Sequence, residues 1–286
     1  MEVSVIIAHN QARGEETLRR CMASILREGQ TEISASQSLK SKADACQVTE
    51  IGACQSSKSY PVHAPMTEII VETVGNKSES RNHGASIAKG DILVFFDDDA
   101  ELREGCMNEL LKPFVDSKVG IVGGVNIAFP GVSFEEQIGA SLLASPLTMF
   151  RSASRYTPRG DIRESDEAEI LSAVMAVRKE AFNKAGGFPV DIIPCEENVL
   201  INNVQKAGYK VIYNPFAVVY HRRPKVFMEY FKTMFNYGKG RGKMMRHMKG
   251  GPKMLYAPTK KWPYYVIGFV GHYISYITGV IWGLIS

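Results

Sequence analysis

The chain has 286 residues, 45% of them hydrophobic and 22% charged, with 25 glycines and 13 prolines. This is globular composition and excludes disordered, collagen-like and disulfide-scaffold chains. Lys and Arg number 34 against 30 Asp and Glu, a formal net charge of +4, too mild to make nucleic acid a partner of the whole surface. Cys21, Cys46, Cys54, Cys106 and Cys195 are odd in number and lack metal-finger spacing. Neither a disulfide framework nor a zinc site is indicated, and a reducing compartment is the simpler reading.

Residues 3–7 form a short continuous apolar run, the pattern of a strand buried on both faces. Residues 15–27 follow with Leu18, Cys21, Met22, Ile25 and Leu26 at helical spacing. Residues 29–66 are rich in Ser, Gln, Lys and Ala and read as an extended insertion or loop. A second strand is expected over 68–72, a short helix after Ser80 ending at Ile87 and Ala88, and a third strand over 91–96. This alternation argues an α/β domain with a mostly parallel sheet. Further on come a helix over 107–115, a strand over 120–125, an irregular stretch to Asp166 and an apolar piece over 171–177. A helix then opens near Glu196 and runs to Lys206, followed by strands over 210–213 and 217–220.

From Arg222 onward the chain turns basic, and residues 237–243 (YGKGRGK) have the look of a flexible cationic segment. Residues 264–285 then contain no Lys, Arg, Asp or Glu, and a helix of that length spans roughly 33 Å, enough for a bilayer core. Trp262, Tyr264, Tyr265 and Trp282 resemble interfacial anchors, and Lys249, Lys253, Lys260 and Lys261 precede the span. The expected organisation is a domain over 1–224, a basic juxtamembrane segment over 225–261 and a single transmembrane helix over 262–286. The positive-inside bias would keep the domain on the cytoplasmic side of the cell membrane. Gly271, Ser275, Gly279 and Gly283 recur every fourth residue, the spacing that admits a helix partner at close range.

Asp97, Asp98 and Asp99 directly follow the apolar run ILVFF. Three adjacent carboxylates at the C-terminal end of a buried strand repel one another and become tolerable beside a divalent cation or a donor-rich ligand. Ligands of open α/β sheets bind at that edge. Glu196 and Glu197 open a helix, where carboxylates complement the dipole and could also serve as a general base. His221 ends an apolar strand and is followed by Arg222 and Arg223, an imidazole for a metal and guanidiniums for phosphate oxygens. Arg81 and Asn82 precede Gly84 where backbone N–H groups and a guanidinium could hold a nucleotide.

The ordered set VSVIIAHN, EIIVE, SRNHGASIAKGDILVFFDDD, AVRKEAFNKAGGF, CEENVLINNVQKAGYKVIYNP and VVYHRRP resembles the family-2 glycosyltransferases of GT-A fold, over residues 3 to about 224 apart from the insertion. The resemblance implies transfer of a sugar from a nucleotide-diphosphate donor to a glycan or lipid-linked acceptor hydroxyl, inverting and dependent on Mg²⁺ or Mn²⁺, in cell-surface polysaccharide or glycolipid synthesis. It places Asp97 toward the nucleotide and Asp99 on the metal with His221, in the family's Asp-x-Asp motif. Glu197 falls on the catalytic base, with Glu196 beside it. His9, Asn10, Glu72, Arg81, Asp98 and Arg222 take donor-contacting positions. Ala8 stands where the family usually has Pro, and Thr73, Val74 and Gly75 replace the acidic residue and Gly-Ser that usually close the second strand. The competing readings are a catalytically silent nucleotide-binding module at the membrane and a metal-dependent phosphatase.

Overall fold

A computed structural model describes residues 2–28, 33–35, 66–226, 228–247 and 266–285. Strand β1 (Val3–Ala8) is buried along its whole length, as is β4 (Ile92–Asp97), so their apolar runs serve both faces of one sheet. Alternation sorts them. Val5, Ile7, Val94 and Phe96 pack on one side with Met22 and Ile25 of the Glu15–Leu26 helix. Ile6, Leu93 and Phe95 pack on the other with Phe182, Phe188 and Leu200.

Among the described residues nine strands make the sheet: β2 (Ile33–Ala35), β3 (Met66–Glu72), β1, β4, β8 (Val174–Arg178), β6 (Val119–Ile127), β9 (Lys210–His221) and β5 (Ala100–Leu102) in order, with β7 (Arg163–Glu164) also paired to β9. The expected mostly parallel sheet is instead mixed. The β2–β3, β3–β1, β1–β4 and β6–β9 ladders are parallel, whereas β8 runs antiparallel between β4 and β6, and β5 and β7 run antiparallel to β9. The apolar piece read over 171–177 is this reversing strand.

Other elements also differ from the pattern reading. The stretch to Asp166 holds a helix, Phe134–Ala144, started by a capping box in which Ser133 and Glu136 satisfy each other's backbone N–H groups. The Lys77–Ile87 helix begins earlier than expected because Asn76 accepts from Ser78 N and Glu79 N while Glu79 reaches back to Asn76 N. The two short strands after Lys206 are one strand, β9. Apart from β2 and Met66, the first residue of β3, the 29–66 insertion lies outside the described residues, as do Lys249, Lys253, Lys260, Lys261, Trp262, Tyr264 and Tyr265.

The C-terminal third departs most. Residues 237–243, read as flexible, lie inside the Met228–His247 helix, which packs along the Val266–Ile285 helix. The glycines permit this. A Cβ at Gly238 would sit 2.1 Å from Tyr276 O, one at Gly242 2.4 Å from Val280 O, and one at Gly240 2.0 Å from Pro194 O. From the other helix, Gly279 and Gly283 face Phe235 O and Lys239 O at 2.1 and 2.2 Å in the same sense. The every-fourth-residue spacing is thus matched within the chain itself, backbone against backbone. The expected transmembrane helix over 262–286 is not supported: among the described residues no helix is long and apolar enough to cross a membrane.

Candidate active site

Period-two alternation carries Asp97 to the same sheet face as Leu93 and Phe95. On that face the Lys77–Ile87 helix and the Glu196–Lys206 helix deliver their N-terminal ends. Arg81, buried under Phe188 with its guanidinium carbon 5.3 Å from the ring centre, joins the two carboxylate groups. Its Nη2 donates to Asp97 Oδ1 and its Nη1 to Glu196 Oε1, both at 2.7 Å.

The β5–β9 register, Ala100 opposite His221, sets the His221 ring against the acidic turn. His221 Nε2 lies 3.3 Å from Asp97 Oδ2 and 3.2 Å from Asp99 Oδ1. Lys77 Nζ comes within 3.2 Å of Asp97 Oδ2, and Arg13 Nη1 within 2.5 Å of Asp99 Oδ1. Asp99 Oδ1 is nevertheless buried outside hydrogen-bond geometry, close to cations but not saturated by them. Burial alone would raise the Asp97 carboxyl. Lys77, the His221 hydrogen bond and Arg81 outweigh it and hold the group well below the usual carboxylate range. For His221 burial favours the neutral ring, yet its bonds to Asp97 and Asp99 lift its pKa to about 9.

Asp98 does something different. Its carboxylate is fully buried and takes His9 Nδ1 at 2.9 Å, Asn10 N at 2.8 Å and Arg13 Nη1 at 2.8 Å. It fastens the end of β1 to the end of β4, which accounts for three adjacent aspartates: two face the cleft and one ties strands. His9, Asn10 and Asp98 therefore lie in this tie, off the cleft wall. Glu72, fully buried at the end of β3 with Oε1 3.0 Å from His83 Nδ1, also stands off it.

Cys195, at φ 90°, holds a left-handed conformation uncommon outside glycine and starts the helix abruptly. Its thiol is pushed up to about 12, chiefly by burial, so it is inert; Cys21, Cys106 and Cys195 are all free and buried. After it, Glu196 turns to Arg81 and Glu197 turns the other way. Glu197 Oε1 lies 3.8 Å from Arg155 Nη1, beyond a hydrogen bond. Arg155 itself is buried and anchored on Ala168 O, Glu167 O and Asn198 Oδ1. Burial, then the neighbouring Glu196, raise the Glu197 carboxyl to about 7 despite Arg155 and Arg81, the range of a general base at neutral pH.

Asp97, Asp99, His221, Arg81, Glu196, Glu197 and the exposed Arg222 all border one polar cleft of about 950 Å³. Arg13 and Lys77 border it too and were not singled out by sequence reasoning. The signal for Lys77 was its place just after the Asn76 cap, in the first turn of a helix aimed at the strand ends. For Arg13 and Arg155 only the tertiary structure brings them to the carboxylates. The ligand atoms of Asp97, Asp99 and His221 lie within 4.8 Å of one another. His221 Nδ1, 2.8 Å from Arg222 O, is placed to donate to that carbonyl and leave Nε2 for a cation. Two carboxylates and an imidazole form an oxygen-rich set suited to Mg²⁺ or Mn²⁺.

Residues 59–186 match the family described as Glycosyl transferase family 2. The O-antigen chain rhamnosyltransferase RfbN of Salmonella typhimurium is 23% identical over 197 residues, 63% of this chain and 58% of that protein. The pre-mycofactocin glycosyltransferase of Mycobacterium tuberculosis is 26% identical over 143 residues, 50% of this chain and 29% of that protein. The chain thus spans well under two thirds of these relatives' length. A mannosyltransferase, PcManGT, from Pyrobaculum calidifontis, solved in complex with GDP-Man and Mn²⁺, superposes at a TM-score of 0.54 with 16% identity, covering 99% of this chain and 71% of that one. The mixed α/β sheet with the acidic turn after β4 is therefore the GT-A architecture, and residues 59–186 within it are similar to the family 2 glycosyltransferases.

Proposed function

We propose that the protein transfers a sugar from a nucleotide-diphosphate donor to an acceptor hydroxyl with inversion, in the synthesis of a cell-surface glycan or glycolipid. One observation carries the reading: a cation-competent cluster and a carboxylate poised near neutral pH, Glu197, border the same cleft, and the Arg81 guanidinium ties Asp97 of the cluster to Glu196, the neighbour of that carboxylate. Asp97, Asp99 and His221 are the residues that would hold a divalent cation, which supplies Lewis-acid neutralisation of a departing diphosphate. Lys77 and Arg222 add fixed positive charge along the cleft wall for phosphate oxygens. Glu197 takes the acceptor's proton as the hydroxyl attacks the anomeric carbon opposite the leaving group, and Arg81 holds Glu196 and Asp97 in register meanwhile. For localisation we propose attachment to the cell membrane with the catalytic domain on the cytoplasmic side, supported by the exposed Ile274, Ile277, Ile281 and Trp282 on the C-terminal helix.

The test is a donor panel. GDP-, UDP-, dTDP- and ADP-sugars are screened by thermal shift with and without Mn²⁺, and the donor that binds is carried into a transfer assay. Mn²⁺-dependent binding followed by turnover is expected. Binding without turnover on any acceptor would favour the silent nucleotide-binding module, and metal-dependent phosphate release without a sugar requirement would favour the phosphatase.

A further inference from the structure

A second cavity, of about 360 Å³ and with a mostly apolar wall, is lined by Glu197 but by none of Asp97, Asp99 and His221. Its wall is built by Met149 and Phe150, where the short Pro146–Met149 helix runs into the 3-10 helix Phe150–Arg155, and by Tyr273, Tyr276 and Val280 from the C-terminal helix. Glu197, Tyr156 and Tyr237 border both this cavity and the polar cleft, so the two spaces meet at the carboxylate. At the outer rim stand Ile277 and Ile281, 52% and 54% exposed, on a helix face that also exposes Ile274 and Trp282. An apolar path therefore runs from the protein surface to the proposed base.

Resting on the transferase reading, we infer that the acceptor is an amphiphile whose apolar chain fills this cavity, entering past Ile277 and Ile281, with its hydroxyl presented to Glu197. The chemistry follows from the walls. A polar acceptor such as a free sugar would set most of its hydroxyls against the aromatic and aliphatic surface that dominates the wall, beyond the few polar atoms of Thr148, Ser152 and the tyrosines, a costly arrangement, whereas a hydrocarbon chain exchanges water for those same surfaces. At roughly 30 Å³ per methylene-sized group the cavity holds on the order of a dozen carbons. A chain with its polar group at one end matches a pocket whose wall is mostly apolar and whose charged lining is limited to Glu197, Arg155 and Arg241.

The experiment uses the full chain and hexyl, octyl and decyl glucosides below their micelle concentrations, with binding read by isothermal titration calorimetry. Each added pair of methylenes should tighten binding about tenfold, and Ile281→Glu should weaken decyl glucoside binding tenfold or more. Ile281 is half exposed, so the substitution leaves the fold intact, which an unchanged melting temperature verifies. Ile274→Glu, on the same outer face but off the cavity wall, should have little effect. A flat chain-length series overturns the inference, as does equal weakening by Ile274→Glu, which would place the chain on the outer surface. Nucleotide-sugar binding with Mn²⁺ is measured on the same samples: its loss with the chain-length series intact would sink the transferase reading instead.

Discussion

Glu197→Gln should remove activity and, above neutral pH, make the protein more stable. The carboxyl's rise from an ordinary 4.5 to about 7 means the folded protein holds that proton more tightly than the unfolded chain. Between those two values the native state binds more protons, so stability falls as pH rises, by up to roughly 3 kcal/mol once the group is ionised above about pH 7. The amide has no charge to desolvate and should recover that cost. Urea denaturation of wild type and Glu197→Gln should therefore give curves that coincide near pH 4.5 and separate by pH 8, the variant being the more stable. In the wild type kcat/KM should rise about tenfold per pH unit below an inflection near 7 and level above it. Glu196→Gln, by removing the adjacent negative charge and freeing Arg81, should move that inflection toward acid. Equal stability of wild type and Glu197→Gln at pH 8, or a rate profile flat from pH 5.5 to 7.5, would refute the assignment of Glu197 as a buried, poised base.

Asp99→Asn should weaken Mn²⁺ binding at least tenfold by calorimetry while leaving the melting temperature close to wild type, because its carboxylate borders the cleft instead of tying strands. Asp98→Ala should do the opposite, costing about 2–4 kcal/mol in urea denaturation by orphaning His9 and Asn10 N and leaving Arg13 with Asp99 alone. Gly240→Ala puts a methyl 2.0 Å from Pro194 O and should cost about 1–3 kcal/mol, with a fall in kcat from displacement of the segment leading to Glu196. Replacement at Gly131, where φ is 74° but no atom lies within 4 Å of a new Cβ, should leave kcat unchanged and cost only the backbone strain.

Asp97, Asp99, Glu196, Glu197, His221 and Arg81 were legible in the sequence because each sits at a strand end or in a helix's early turns, where local pattern dictates position. What pattern cannot say is which way successive residues face after a strand stops. Asp98 read like its neighbours, and only the turn after β4 sends it inward to His9 and Arg13. The reversed direction of β8 was equally hidden, since an apolar strand carries no mark of parallel or antiparallel pairing. Glycine misled at 237–243: its freedom suggests a loop, but its lack of a Cβ lets a helix touch another backbone, and the second property governs here. The apolar 266–285 run gave a correct helix, but the expected bilayer span is not supported among the described residues, and hydropathy alone could not show that one face of this helix packs on the Met228–His247 helix.

Those three glycines also make the Met228–His247 helix conditional. Each costs about 1 kcal/mol of helix propensity relative to alanine, so with Gly238, Gly240 and Gly242 inside one turn and a half the segment has little reason to be helical when alone. Its order comes from docking, on Tyr276 and Val280 of the partner helix and on Pro194 of the sheet domain. The two helices should therefore open before the sheet does. A chain cut before residue 266 would lose the Met228–His247 helix to coil along with the missing one, and with both the wall behind Glu197. Hydrogen exchange should show this as one cooperative unit: amides of 228–247 and 266–285 opening together, at lower cost than those of β1 and β4.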